Sequence, residues 1–163
     1  MQDYVTGDIF TFNPPQQTLA AWKPFWDCVT ILFQFQNSDV DDGGEELKEW
    51  RLFWVAGLAL LRTVGHVLDK VDAKKTSPHG KVIFERWKQW KNDKEQAEIF
   101  WNFIEKERNS LLKTYSFGAR FVNDPEGAYI EFEDGSDAFQ LYRQAVYWWR
   151  KQLIEIEQSI HSN

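Results

Sequence analysis

From residue 16 onward the apolar positions Leu19, Trp22, Phe25, Trp26, Val29 and Phe33 recur every three or four residues, the spacing that lines one face of an α-helix. Pro24 falls inside that stretch, so it must lie in the first turns or kink the helix. The fifteen residues before it carry Gly7, Pro14 and Pro15 without sustained periodicity and predict an extended arm that packs through Tyr4, Ile9 and Phe12. After a loop at residues 38–44, residues 45–73 read as a long helix apolar on every side at its centre, the pattern of a central bundle element. Ala56, Gly57, Ala59 and Gly65 would let other helices approach it closely.

Residues 74–78 break that helix. Ser77 is placed to cap, and Pro78 to open, a helix running to about Trp90. Asn92 and Asp93 interrupt again, and Asp93 with Gln96 has the spacing of a capping box for a helix over residues 97–115. The periodicity then changes. Residues 117–122 and 128–132 alternate partly around Asp124-Pro125-Glu126-Gly127, which predicts a small β-hairpin or an ordered loop. Ser136 can cap a final helix to about Ile160, with Phe139, Tyr142, Val146, Trp149, Leu153, Ile156 and Ile160 on one stripe. The expected fold is therefore mainly α. It is a four- to five-helix bundle with a long central helix and a small β insertion, in one domain over residues 1–163.

Composition narrows the functional classes. With 9 Trp and 13 Phe among 163 residues, rings must fill the core and leave some for an interface, so a homodimer or a protein partner is expected. A net charge of −6 argues against a general electrostatic grip on nucleic acid, though not against a local basic patch. Cys28 is the single cysteine, which excludes an internal disulfide and a Cys-based zinc site. Residues 1–10 lack a charged-then-apolar leader, and the longest apolar run, residues 52–61, is bounded by Arg51 and Arg62 and too short to span a bilayer. A cytoplasmic chain with no membrane role is expected. There is no P-loop, glycine-rich dinucleotide turn, G-x-S-x-G or H-E-x-x-H, and Asp39, Asp41, Gly43 and Glu45 lack the twelve-residue calcium pattern. No cofactor or metal is implied.

The sharpest chemical feature is on the helix over residues 97–115. Ala97, Trp101, Ile104, Leu111 and Tyr115 form an apolar seam, and Arg108 lies on the same line. A permanently charged guanidinium there requires a matching carboxylate such as Glu49, Glu105 or Asp69, a subunit interface, or an anion-binding site. Arg62 and His66, at i and i+4 on the long helix with Asp69 one turn further, can form the second wall of a cleft facing Arg108; the plainer reading makes them that helix's polar face. For Lys113 the plainer reading is a cation at a helix C-terminus, and for Tyr115 a core residue with its hydroxyl at the edge.

Arg108, Asn109, Lys113 and Tyr115 together form R-N-x3-K-x-Y, which resembles the R-polar-x3-H-x-Y signature of the HEPN superfamily. The wider segment FWNFIEKERNSLLKTY is similar to HEPN-like bacterial families that carry ERN-x-x-LK. The resemblance covers about one helix, with the long helix before it matching in outline. It implies a small helical bundle that pairs as a dimer, sets its motif residues in a shared cleft and acts on RNA in toxin–antitoxin or phage-defence systems. It also implies that Tyr115 could be a site of nucleotide attachment by a partner transferase. The departure is Lys113, which stands where the family has histidine. Lysine, with an ordinary pKa of about 10.4, is a poor general base unless burial or a neighbouring cation depresses it. The expectation is an Arg108 cleft that binds RNA or a nucleotide with weak or no catalysis. The alternatives are a non-catalytic interaction subunit or antitoxin, and a metal-independent endoribonuclease using Arg108 with Lys113 or with His66.

Overall fold

Pro24 is the third residue of the first helix, where its missing N–H interrupts no intrahelical bond. That helix, α1 (Trp22–Asn37), buries Phe25, Cys28, Val29, Leu32 and Phe35. The computed structural model describes residues 16–37 and 48–162; the expected N-terminal arm, with Tyr4, Ile9 and Phe12, and the loop at 38–44 lie outside the described residues. α2 (Lys48–Lys70) follows, then a 3₁₀ turn at Asp72–Lys74 and α3 (Ser77–Asn92). A π-helical stretch, Ile99–Glu105, runs into α4 (Lys106–Thr114). Strands β1 (Ala119–Asp124) and β2 (Gly127–Phe132) precede α5 (Ala138–His161). The chain is a mainly α bundle with a two-stranded antiparallel hairpin before its last helix.

Two caps differ from the expected residues by one position. Thr76 rather than Ser77 caps α3, its hydroxyl accepting from the His79 amide. Asp137 rather than Ser136 caps α5, its carboxylate accepting from the Gln140 amide at 2.9 Å. The hairpin forms where the turn chemistry placed it, with Asp124 facing Gly127 and Ala119 facing Phe132 in register. Asp124 Oδ1 accepts from the Glu126 and Gly127 amides at 2.9 and 3.1 Å, and Gly127 takes φ 139°, a backbone region that side chains disfavour.

α2 touches all four other helices and buries Trp54, Leu58, Leu61, Val64 and Leu68 among them. By length and composition alone it is apolar enough to cross a membrane; its packing is that of a bundle's core helix. α5 shares the central place, burying Tyr142, Trp148, Trp149, Leu153 and Ile156. The expected close approach at Gly57 and Gly65 is present. A Cβ at Gly57 would stand 2.6 Å from the Tyr142 ring, and one at Gly65 3.2 Å from Trp149. Trp90, Phe100, Trp148 and Trp149 pack as one aromatic cluster with ring centroids 4.8 to 6.3 Å apart, so most of the rings serve the core.

Two buried carboxylates secure the segment that leads into α1 by accepting from the amides of residues 18–21. Glu157 of α5 accepts from the Thr18 and Leu19 amides at 2.6 and 2.9 Å, from the Thr18 hydroxyl, and from Trp22 Nε1 at 3.0 Å. Asp72 takes the next two amides, Ala20 and Ala21, at 2.7 and 2.9 Å, and pairs with Lys75 at 2.7 Å. Two acids far apart in sequence thus hold the chain where it turns into α1.

Candidate functional site

The π-helical stretch changes which side chains of the motif segment face inward. Bonding from i to i+5 widens the turn. Phe103 and Ile104 both become buried, and the next inward charge arrives one residue early, at Glu107. The seam keeps Ala97, Ile104 and Leu111 but is completed by Phe100, Phe103 and Glu107. The expected seam through Trp101, Arg108 and Tyr115 is corrected accordingly. Trp101 is half-buried, Arg108 sits half-buried on the flank, and Tyr115 is 61% exposed.

Arg108 nevertheless lies in a polar cluster. Arg62 of α2 pairs with Glu105 at 2.6 Å, its guanidinium 5.5 Å from the centre of the Phe100 ring. Asn109 donates to Glu105 Oε1 at 3.3 Å and accepts from Arg108 Nη1 at 2.9 Å. Of the three carboxylates considered as partners for Arg108, Glu105 is committed to Arg62 and Asp69 pairs with Lys70 at 2.7 Å. Among the described residues no carboxylate lies within ion-pair distance of Arg108. His66 is close enough for its charge to interact with both arginines. Local desolvation first, then the positive charges of Arg62 and Arg108, pull the imidazole below its ordinary range, with Glu105 opposing. The shift favours the neutral ring.

The sequence-predicted residues thus divide. Arg62, Arg108 and Asn109 are linked through Glu105 between α2 and α4, while His66, one turn along α2 from Arg62, is exposed and touches none of them. Lys113 is exposed in the last turn of α4, about 140° round the helix from Arg108. Tyr115 ends α4 with φ 52° and sets its ring edge-on against Phe117, 5.1 Å between centroids, on the ring that Arg51 covers at 4.7 Å. The core role considered for Tyr115 is excluded by that exposure. A histidine-like role for Lys113 beside Arg108 has no geometric basis within one chain.

The opposite face of α4 borders a wide cleft of about 1260 Å³ between α3, the π-helical stretch, the hairpin and α5. Its walls carry Asp93, Glu95, Glu98, Glu107, Glu133, Asp134 and Glu155 against only Arg86, Lys106 and Lys151. Sequence reasoning missed it because its charges come from five separate segments. Glu107 is its buried member, 6% exposed, and its carboxylate rests on the backbone of Gly118, where a Cβ would stand 2.5 Å from an oxygen. Burial raises this carboxyl above its ordinary range, with the Gly118 amide and Lys106 pulling the other way. Among the described residues no three His, Cys, Asp or Glu side chains group as metal ligands.

No family model, curated protein or solved structure matches this chain. The fold and the two polar faces of α4 therefore carry the functional argument.

Proposed function

We propose that the chain is a HEPN-like helical protein of a toxin–antitoxin or phage-defence type system, acting as a homodimer, whose Arg108 face binds the phosphates of RNA or a nucleotide with weak or no catalysis. The observation that carries this reading is that Arg108 lacks a carboxylate partner among the described residues while Asn109, its hydrogen-bond partner, ties it to the Glu105–Arg62 pair. A guanidinium held by one neutral amide keeps donors available for an oxyanion. His66, whose shift favours the neutral ring, is the proton acceptor we assign to any residual cleavage in place of Lys113.

The test is anisotropy of a 5′-labelled single-stranded RNA in EDTA with wild type and Arg108→Ala, alongside end mapping of a mixed RNA pool. Binding by wild type that weakens at least tenfold in Arg108→Ala supports the reading. Equal binding by both refutes it, and metal-free cleavage lost in His66→Ala makes the protein a nuclease.

A second reading, an interaction subunit or antitoxin, is favoured by the acidic cleft on the other face of α4. Seven carboxylates against three cations repel nucleic acid and suit a lysine- or arginine-rich protein segment.

A further inference from the structure

The Arg62–Glu105 contact is short yet poorly made. The two charged atoms lie 2.6 Å apart, both are buried, and neither forms an aligned hydrogen bond. An ion pair closed over two helices for stability alone would satisfy those atoms. Asn109 gives the same carboxylate a long bond of 3.3 Å and turns its own oxygen to Arg108. Two donors, Arg62 Nε and Asn109 Nδ2, thus meet one acid that holds neither of them well, and the Arg108 guanidinium joins them only through the Asn109 side chain. Glu105 is also the last residue of the π-helical stretch, a backbone form rare in general and frequent at functional sites.

We propose that Glu105 is an internal stand-in for a ligand phosphate: its carboxylate occupies the seat between Arg62 and Asn109, and a phosphodiester or nucleotide phosphate binds by displacing it. This deepens, and rests on, the reading of the Arg108 face as an RNA- or nucleotide-binding site. Carboxylate and phosphate present similar paired oxygens to a guanidinium, so one seat accepts either. The phosphate gains Arg62 and the Asn109 amide hydrogens from Glu105 and adds Arg108, which the carboxylate leaves without an anionic partner. The Phe100 ring beneath Arg62 holds the guanidinium in place during the exchange. Glu105 thereby sets a threshold: a ligand must outcompete a tethered anion, and weak anions do not.

The experiment compares binding of the 5′-labelled single-stranded RNA in EDTA by wild type, Glu105→Gln, Arg62→Ala/Glu105→Gln and Glu98→Gln. Glu98 is exposed, borders the acidic cleft and serves as the control for net charge. The expected result is at least tenfold tighter binding by Glu105→Gln, loss of that gain when Arg62 is also removed, and less than a twofold change in Glu98→Gln. Glu105→Ala is measured in parallel, and folding of each variant is checked by urea denaturation. Unchanged or weaker binding by both folded Glu105 variants overturns the proposal, as does an equal gain in Glu98→Gln. If wild type binds and Arg108→Ala does not, while the Glu105 variants bind like wild type, the phosphate-binding reading stands and the stand-in fails. If no variant binds RNA, both fail.

Discussion

Replacing Glu157 by glutamine tests the clamp on which the α1 entry depends. The carboxylate is 2% exposed and accepts from the Thr18 amide, the Thr18 hydroxyl, the Leu19 amide and Trp22 Nε1, with His161 3.1 Å away. Glutamine keeps the shape and one acceptor oxygen. Hydrogen bonds to a charged acceptor contribute about 1.5–3 kcal/mol each and neutral ones about half. Three bonds weakened by about 1 kcal/mol and one lost outright, less the relief of a buried charge, give about 3 kcal/mol. For a chain of this size that lowers Tm by about 6–12 °C. The pH dependence has a definite sign. Burial alone would raise the Glu157 carboxyl, but the hydrogen bonds from Leu19, Thr18 and Trp22 outweigh it and hold it below its ordinary value of 4.5. The stabilisation is therefore present above about pH 4.5 and lost as the pH falls through the lower folded value. Urea denaturation of wild type and Glu157→Gln should show a wide gap at pH 7 that narrows in acid. A gap under 1 kcal/mol at pH 7, or one that does not change on acidification, would refute the clamp as a source of stability.

Gly118→Ala should cost about 1–3 kcal/mol in urea, because its Cβ would stand 2.5 Å from a Glu107 oxygen. The same change in a Glu107→Ala background should cost under about 0.5 kcal/mol, since the obstructed carboxylate is gone. Glu107 itself, raised by burial, favours its protonated form in the folded chain, so its contribution is full below its ordinary value of 4.5 and declines as pH rises through the higher folded value. Glu107→Gln should accordingly raise the urea midpoint at pH 7 and leave it unchanged below pH 4. Gly57→Ala should destabilise despite a gain of about 1 kcal/mol in helix propensity, because its Cβ meets the buried Tyr142 ring, which the hydroxyl's bond to the Cys28 carbonyl holds in place; the net loss read by thermal melting should be about 1–2 kcal/mol. Arg108→Ala should change stability by less than about 1 kcal/mol while weakening RNA binding, whereas a buried ion pair would cost about 3–5 kcal/mol.

The sequence by itself determined where the helices and the hairpin lie. Apolar spacing marks α1 and α5 because each has one dominant buried face, a long run apolar on every side at its centre marks α2, and Asp124-Pro125-Glu126-Gly127 is turn chemistry complete within four residues. It also brought Arg62 and His66 forward as partners for Arg108, since i and i+4 share a helix face. Local pattern fails where two phases fit equally well. Ala97, Ile104 and Leu111 are compatible with either Trp101, Arg108 and Tyr115 or Phe100 and Glu107 inward, and only packing on α2 and α5 selected the second set, with the π-helical turn that accompanies it. Other features are invisible to any local window. Glu157 and Asp72 reach α1 across 139 and 52 residues, Glu105 meets Arg62 between helices, and the acidic cleft gathers side chains from separate elements. Secondary structure is written in short-range periodicity, whereas the partner of a buried charge is chosen by whichever distant donor the finished fold leaves facing it.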